Sequence, residues 1–327
     1  MTWSRTKKIA AFVAATTMML GTAACGSGDE KSADGLTEIT VGILPTVDLA
    51  PFMYAIDEGL FEKRGLDVKT RVTSGGAEAI PALLAGDVDF IYTAYMPVLL
   101  GRQAGLDLTI ASGSHTNTAS KDSPSGIWVK PDSDIQTMAD LKGKTVAVNS
   151  LGSVAELLVV ASLDELGLER GDYDLVEIPF PDVPAALDQG RVDAAWVAEP
   201  GRATIIENLD ARFVGSAEDP SVISTSDTFK DFPMAGYATR GNEDPKTLKA
   251  FHEAMAESLK ILAADNDIAR ELAPDYTEIP EALLPTVAVS TFGQTSTAQM
   301  ERLQDLMIEH GFLDGPIDDI DKLVYTP

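Results

Sequence analysis

From residue 37 onward, short apolar runs of β type alternate with stretches whose apolar residues recur every three or four positions. Period two giving way to period 3.6, again and again, predicts strands alternating with helices, an α/β protein on parallel sheets. Ile39 to Leu44 predicts the first strand. Pro45-Thr46-Val47-Asp48 predicts a loop, with Asp48 placed to cap a helix starting near Pro51. Phe52, Ile56 and Leu60 fall at spacing four on that helix, and Gly59 marks its end. Val68 to Val72 predicts a second strand, with Lys69 and Arg71 on its exposed side. Ser74-Gly75-Gly76 opens a helix running to Gly86, and Asp89 to Thr93 predicts a third strand. The stretch from Asp244 to Pro327 reads as mostly helical. Leu248, Phe251, Met255, Leu259 and Leu262 set one face of it against a core.

An internal repeat organises the chain. Residues 82–90 read Ala-Leu-Leu-Ala-Gly-Asp-Val-Asp-Phe, and residues 186–194 read Ala-Leu-Asp-Gln-Gly-Arg-Val-Asp-Ala. Each copy is a helix end, a glycine stop and a short strand. At the same offset Tyr92 matches Trp196 and Tyr95 matches Glu199. Arg64-Gly65-Leu66 and Leu166-Gly167-Leu168 form a second echo. Two copies this far apart make two similar lobes rather than a solenoid, which needs several shorter units. The Ser/Thr/Asn/Gly-rich stretch Ala111 to Gly126, followed by the strand Ile127-Trp128-Val129, reads as the crossover from the first lobe to the second. Phe232 to Thr239 reads as the return. The expected division is therefore lobe one from residues 37–112 and 236–327, and lobe two from 113–235. Two crossings make a hinge, and the cleft between hinged lobes is where ligands are held.

The N-terminus changes the picture. Arg5, Lys7 and Lys8 precede an apolar run from Ile9 to Leu20, too short to span a bilayer core of ~30 Å. Thr22-Ala23-Ala24-Cys25 follows, so residues 1–24 read as a secretory signal peptide. Cys25 is the only cysteine. It resembles the lipobox cysteine of bacterial lipoproteins, which becomes the lipidated mature N-terminus; Thr22 stands where that motif favours Leu. Residues 25–36 are polar and without periodicity, as a flexible tether requires. The expected location is the extracytoplasmic face of the membrane, held by a lipid. The formal charge of −26 becomes more negative once the three cations of the leader are removed. Such a field repels phosphate backbones and argues against nucleic-acid binding.

Several segments then carry a resemblance. These are Ala50-Pro51-Phe52, Gly59 through Val68, Ser74-Gly75-Gly76, Ala82 through Asp89, Asp140 through Val146, and Val192 through Pro200. In this order they resemble the periplasmic binding proteins that include nitrate, sulfonate, taurine and thiamine-precursor receptors. The resemblance implies a two-lobed periplasmic-binding-protein fold of type II and, as partners, an ABC permease and its ATPase. It implies no particular solute.

In open α/β sheets ligands sit beyond the carboxyl ends of strands, against helix starts. Five loops qualify. The first holds Thr46 and Asp48. The second is Ser74-Gly75-Gly76, whose backbone N–H groups at a helix start suit an anionic oxygen. The third carries Tyr92, Thr93 and Tyr95. The fourth carries Asn149, Ser150 and Ser153, again before a helix. The fifth runs from Trp196 to Glu199 and Pro200. Each residue has a structural alternative. Tyr92 and Trp196 could be core, Asp48 an N-cap, and Glu199 a cap or a partner of Arg202 rather than an acceptor for an amino group. His115, in the crossover, is either a solvated loop residue or a ligand contact.

Catalytic motifs are missing: no histidine cluster, no nucleophile turn, no phosphate loop. The same fold resembles pyrimidine synthases and a menaquinone-pathway dehydratase, but the synthases carry a cysteine-rich motif, and Cys25 stands alone. The expectation is a monomeric binding protein without cofactor or metal. Its ligand is a small organic anion such as a sulfonate, a taurine-like compound or another organic acid, or else a heteroaromatic nitrogenous solute.

Overall fold

The computed structural model describes residues 35–73, 76–117, 125–217, 229, 231–277, 279 and 281–327. The first sheet is built from β1 (Thr37–Ile43), β2 (Leu66–Val72), β3 (Phe90–Ala94) and β4 (Leu108–Thr116), joined by α1 (Ala50–Asp57), α2 (Gly76–Ala85) and α3 (Tyr95–Gln103). The second holds β5 (Ser125–Val129), β6 (Thr145–Val148), β7 (Asp174–Glu177), β8 (Ala194–Ala198) and β9 (Arg212–Gly215). Its helices are α4 (Val154–Glu165), α5 (Val183–Asp188) and α6 (Gly201–Leu209). The chain then returns to the first sheet through β10 (Pro233–Arg240), α7 (Pro245–Ala264), α8 (Asp267–Leu272), β11 (Thr291–Phe292) and α9 (Thr297–Glu309).

Both sheets share one plan. The orders are β2-β1-β3-β10-β4-β11 and β7-β6-β8-β5-β9. In each, a central strand pairs in parallel with two neighbours, β1 with β2 and β3, β6 with β7 and β8. In each, the strand that has just crossed from the other sheet is inserted antiparallel. The sheets are therefore mixed, not purely parallel as the alternation predicts. A chain arriving from the other lobe enters on the side that the parallel strands leave by, so it runs against them.

The lobe boundaries shift for a related reason. Residues 113–116 lie in β4 and 233–235 in β10, so both belong to the first sheet rather than to lobe two. Composition marked Ala111 onward as crossover because Ser, Gly and Thr dominate it. Here those residues are buried in strand, with hydroxyls bonded internally: Ser114 Oγ donates to the Asp48 carbonyl at 3.1 Å. Gly113 is needed, since a Cβ there would lie 2.5 Å from the Gly293 carbonyl oxygen.

The repeat has a physical basis. After α2 and α5 the chain turns at Gly86 (φ +79°) and Gly190 (φ +66°), left-handed positions that suit glycine. Asp87 N–H reaches the Ala82 carbonyl and Arg191 N–H the Ala186 carbonyl, each at 2.9 Å. The repeated aspartates then lock the next strand. Asp89 Oδ2 accepts from Thr40 N–H and Asp193 Oδ2 from Thr145 N–H, both at 2.8 Å. Val88 and Val192 between them are buried.

Behind the first sheet, α7 buries Phe251, Met255, Leu259 and Leu262 as its periodicity predicts. Phe251 stacks on Phe90 with ring centroids 4.1 Å apart and meets Tyr237 edge-on. Burying such a side chain contributes about 1.5–3 kcal/mol. The two crossings are tied together at Asn117: its N–H donates to the Phe232 carbonyl at 3.0 Å, and its Oδ1 accepts from Phe232 N–H at 2.7 Å. The leader, Cys25 and the tether lie outside the described residues. Among the described residues no helix is long and apolar enough to cross a membrane.

Candidate functional site

A polar cluster sits at the carboxyl edge of the first sheet. Residues 47–49 form a single tight turn that runs straight into α1, whose N-cap is Leu49. Asp48 is therefore inside the turn and does not cap the helix. Its Oδ2 lies 3.6 Å from His115 Nε2 instead. His115 is in β4 and only 6 % exposed, so it is not a solvated loop residue. Its Nδ1 lies 3.5 Å from the Tyr92 hydroxyl. Burial lowers the His115 pKa against the opposing pull of Asp48, which keeps the imidazole neutral at pH 7.

Around this pair stand phenols that burial holds protonated. Tyr92 and Tyr237 are both pushed well above the usual tyrosine range by desolvation. Tyr276, also raised by burial, donates to the Val47 carbonyl at 3.1 Å. Tyr237 has no exposure, and its ring lies 5.4 Å from that of Tyr92. Its hydroxyl, with Thr93 Oγ1, is buried without a hydrogen-bond partner among the described residues. Buried polar atoms ordinarily find partners, so such orphans in this part of the fold are a functional signal.

The second sheet's helix start is different. Ser153 caps α4, accepting from Glu156 N–H at 3.5 Å and donating to the Ser150 carbonyl at 2.6 Å. Gly152 N–H is taken by Glu156 Oε2 at 2.6 Å, and Leu151 N–H by Glu177 Oε2 at 2.9 Å. Two carboxylates thus stand where an anionic ligand oxygen was expected. Asn149 and Ser150, just beyond β6, are half-buried.

The remaining sequence candidates serve packing contacts here. Tyr95, the first residue of α3, is 1 % exposed, and its hydroxyl bonds Thr295 Oγ1. Trp196 in β8 is 6 % exposed and stacks on Phe180 at 6.2 Å. Glu199 is both cap and ion-pair partner. Oε2 accepts from Ala203 N–H at 3.2 Å, and Oε1 from Arg202 Nη1 at 2.9 Å and Ala288 N–H at 3.2 Å. Burial raises its pKa, opposed by Arg202. Arg202 Nη1 also donates to the Thr286 carbonyl at 2.8 Å. Ser74 and Gly75 lie outside the described residues, and Gly76 begins α2.

The structure thus gathers Thr46, Asp48, Tyr92 and His115, and adds Ser114, Tyr237 and Tyr276, which sequence reasoning missed. No sequence signal marked the tyrosines, because they arrive from β10 and from the turn after α8. Glu156 was legible, since Ser153 and Glu156 have capping-box spacing. Among the described residues no group of three or more His, Cys, Asp or Glu could hold a metal ion. The cluster offers one carboxylate, a neutral imidazole and hydroxyls, a set suited to holding a small organic solute.

Comparison with known proteins agrees with this architecture. The profile of the NMT1-like family matches residues 32–274. A protein of Bacillus subtilis (strain 168), provisionally named an aliphatic sulfonates-binding protein, is 28% identical over 290 residues, covering 87% of this chain and 82% of that one. A protein of Brachyspira hyodysenteriae (strain ATCC 49526 / WA1), provisionally named an ABC transporter periplasmic binding protein, is 26% identical over 278 residues, covering 78% and 74%. The crystal structure of the periplasmic aliphatic sulphonate binding protein SsuA from Escherichia coli superposes with a TM-score of 0.71 at 19% identity, covering 88% and 97%. That likeness establishes the two-lobed binding-protein fold.

Proposed function

The chain belongs to the NMT1-like family, and on that premise we propose that it is the solute-binding component of an ABC importer. It captures a small organic solute outside the membrane and hands it to a permease driven by an ATPase. The observation that carries the reading is the cluster of Thr46, Asp48, Tyr92, His115 and Tyr237, with its orphaned buried hydroxyls at the carboxyl edge of a sheet. The relatives' names support binding rather than catalysis as the activity. The name of the Bacillus relative also supports a sulfonate as the solute class. Asp48 and the surrounding tyrosines favour a second reading, a nitrogenous heteroaromatic solute.

In this proposal the two sheets are lobes that hinge where Asn117 meets Phe229 and Phe232. The ligand favours the closed state because only that state lets both lobes contact it. The protein acts as a monomer, tethered through a lipid on Cys25. Mass spectrometry of co-purifying small molecules, followed by calorimetry, tests the reading. A ligand that binds the folded state must raise the melting temperature, and a broad panel without such a shift refutes small-molecule binding. Fractionation tests the anchor: Cys25→Ser should move the protein from membranes to the medium.

A further inference from the structure

We infer that the solute presents an N–H donor, an ammonium or an amino group, to the Asp48 carboxylate. The inference rests on the reading of this cluster as the ligand site. Among the described residues of the cluster, Asp48 is the only charged side chain. Its chargeable partner among the described residues is His115, a neutral imidazole at 3.6 Å, too far for a strong hydrogen bond. The carboxylate is largely withdrawn from water, with side-chain exposure of 19 %. A carboxylate so placed, with no Lys or Arg paired to it among the described residues, gains most from a donor that arrives with the ligand.

Two further observations point the same way. The Tyr237 hydroxyl is buried with no partner among the described residues, so this part of the fold holds a polar group left to satisfy. Across the molecule, the N–H groups of Leu151 and Gly152 are already bonded to Glu177 and Glu156. The α4 start is thereby closed to an anion that lacks any other handle.

The test uses pairs of probes that differ by one amino group: ethanesulfonate and taurine, propionate and β-alanine, pyrimidine and 4-aminopyrimidine. Calorimetry on the whole protein should show at least one amine-bearing member binding tenfold to a hundredfold tighter than its mate, the range of a hydrogen bond to a charged group. Asp48→Asn should erase that preference while the melting curve stays cooperative. Should Asp48→Asn fail to fold, the wild-type pairs alone decide. If amine-free members bind as tightly as their mates, the inference falls. If Tyr92→Leu still weakens that binding, the site reading survives without it. Binding unaffected by either variant, or no binding by any probe at millimolar concentration, overturns both.

Discussion

Replacing Glu199 tests how the second sheet is held against the C-terminal segment. The carboxylate is 3 % exposed and takes three donors: the Arg202 guanidinium, Ala203 N–H and Ala288 N–H. The last of these joins the loop after β8 to residues that follow α8, so it spans the two halves of the molecule. Glu199→Ala leaves Arg202, whose side chain is 15 % exposed, without its counter-charge, and strips an acceptor from two backbone N–H groups. Breaking a buried pair from one side costs about 3–5 kcal/mol. At roughly 2 °C per kcal/mol for a chain of this size, that lowers the melting temperature by about 6–10 °C. Glu199→Gln keeps the shape and one acceptor and should cost about 1–2 kcal/mol. The pH dependence separates burial from pairing. Burial raises the folded pKa of Glu199 above its ordinary value of 4.5, so ionisation in the folded state carries a penalty that is relieved as pH falls. The wild type should therefore gain stability relative to Glu199→Gln between pH 7 and pH 4, followed by urea denaturation. A wild type that instead loses ground to the variant on acidification would show that the attraction of Arg202 outweighs burial, and the reasoning would be refuted.

Gly236→Ala should destabilise by about 3 kcal/mol or more through overpacking, because the new Cβ would lie 2.2 Å from the Tyr95 hydroxyl and 2.5 Å from the Ser112 carbonyl; a melting curve matching the wild type would contradict that close approach. Asp193→Ala should cost about 1–2 kcal/mol by orphaning Thr145 N–H. Asp89→Ala should cost more, since Asp89 also meets Arg240 at 3.3 Å, and the double variant should be additive because the sites share no partner. His115 has a folded pKa lowered by burial from 6.5, so its contribution is present above pH 6.5 and is lost as pH falls below it. His115→Gln should flatten the stability profile below pH 6.5 by up to about 1.4 kcal/mol per pH unit; an unchanged slope would mean that the imidazole protonates freely.

The alternation of strand and helix was legible from residue periodicity, and so was the twofold plan, from Ala82 to Asp89 and its copy at Ala186 to Asp193. Those signals are local. The left-handed glycines and the strand-locking aspartates are fixed within a few residues, and their spacing survives in the sequence whatever surrounds it. Lobe edges were less legible. Ser112, Gly113 and Ser114 look like loop until the segment after β11 is laid across them, whereupon small polar side chains become the ones that fit.

The site divides the same way. The sequence by itself placed Thr46 and Asp48 in the loop after the first strand, because strand direction and turn position are encoded nearby; Tyr92, read as part of a loop, lies within β3. Only the tertiary structure decided what those residues face. It turned Asp48 from helix cap to partner of His115, buried His115 in a strand, and brought Tyr237 and Tyr276 from far along the chain to the same edge. It also filled the second helix start with Glu156 and Glu177 and gave Glu199 to Arg202 and Ala288. Charge pairing and desolvation depend on distance in space between residues remote in sequence, and no periodicity records that distance.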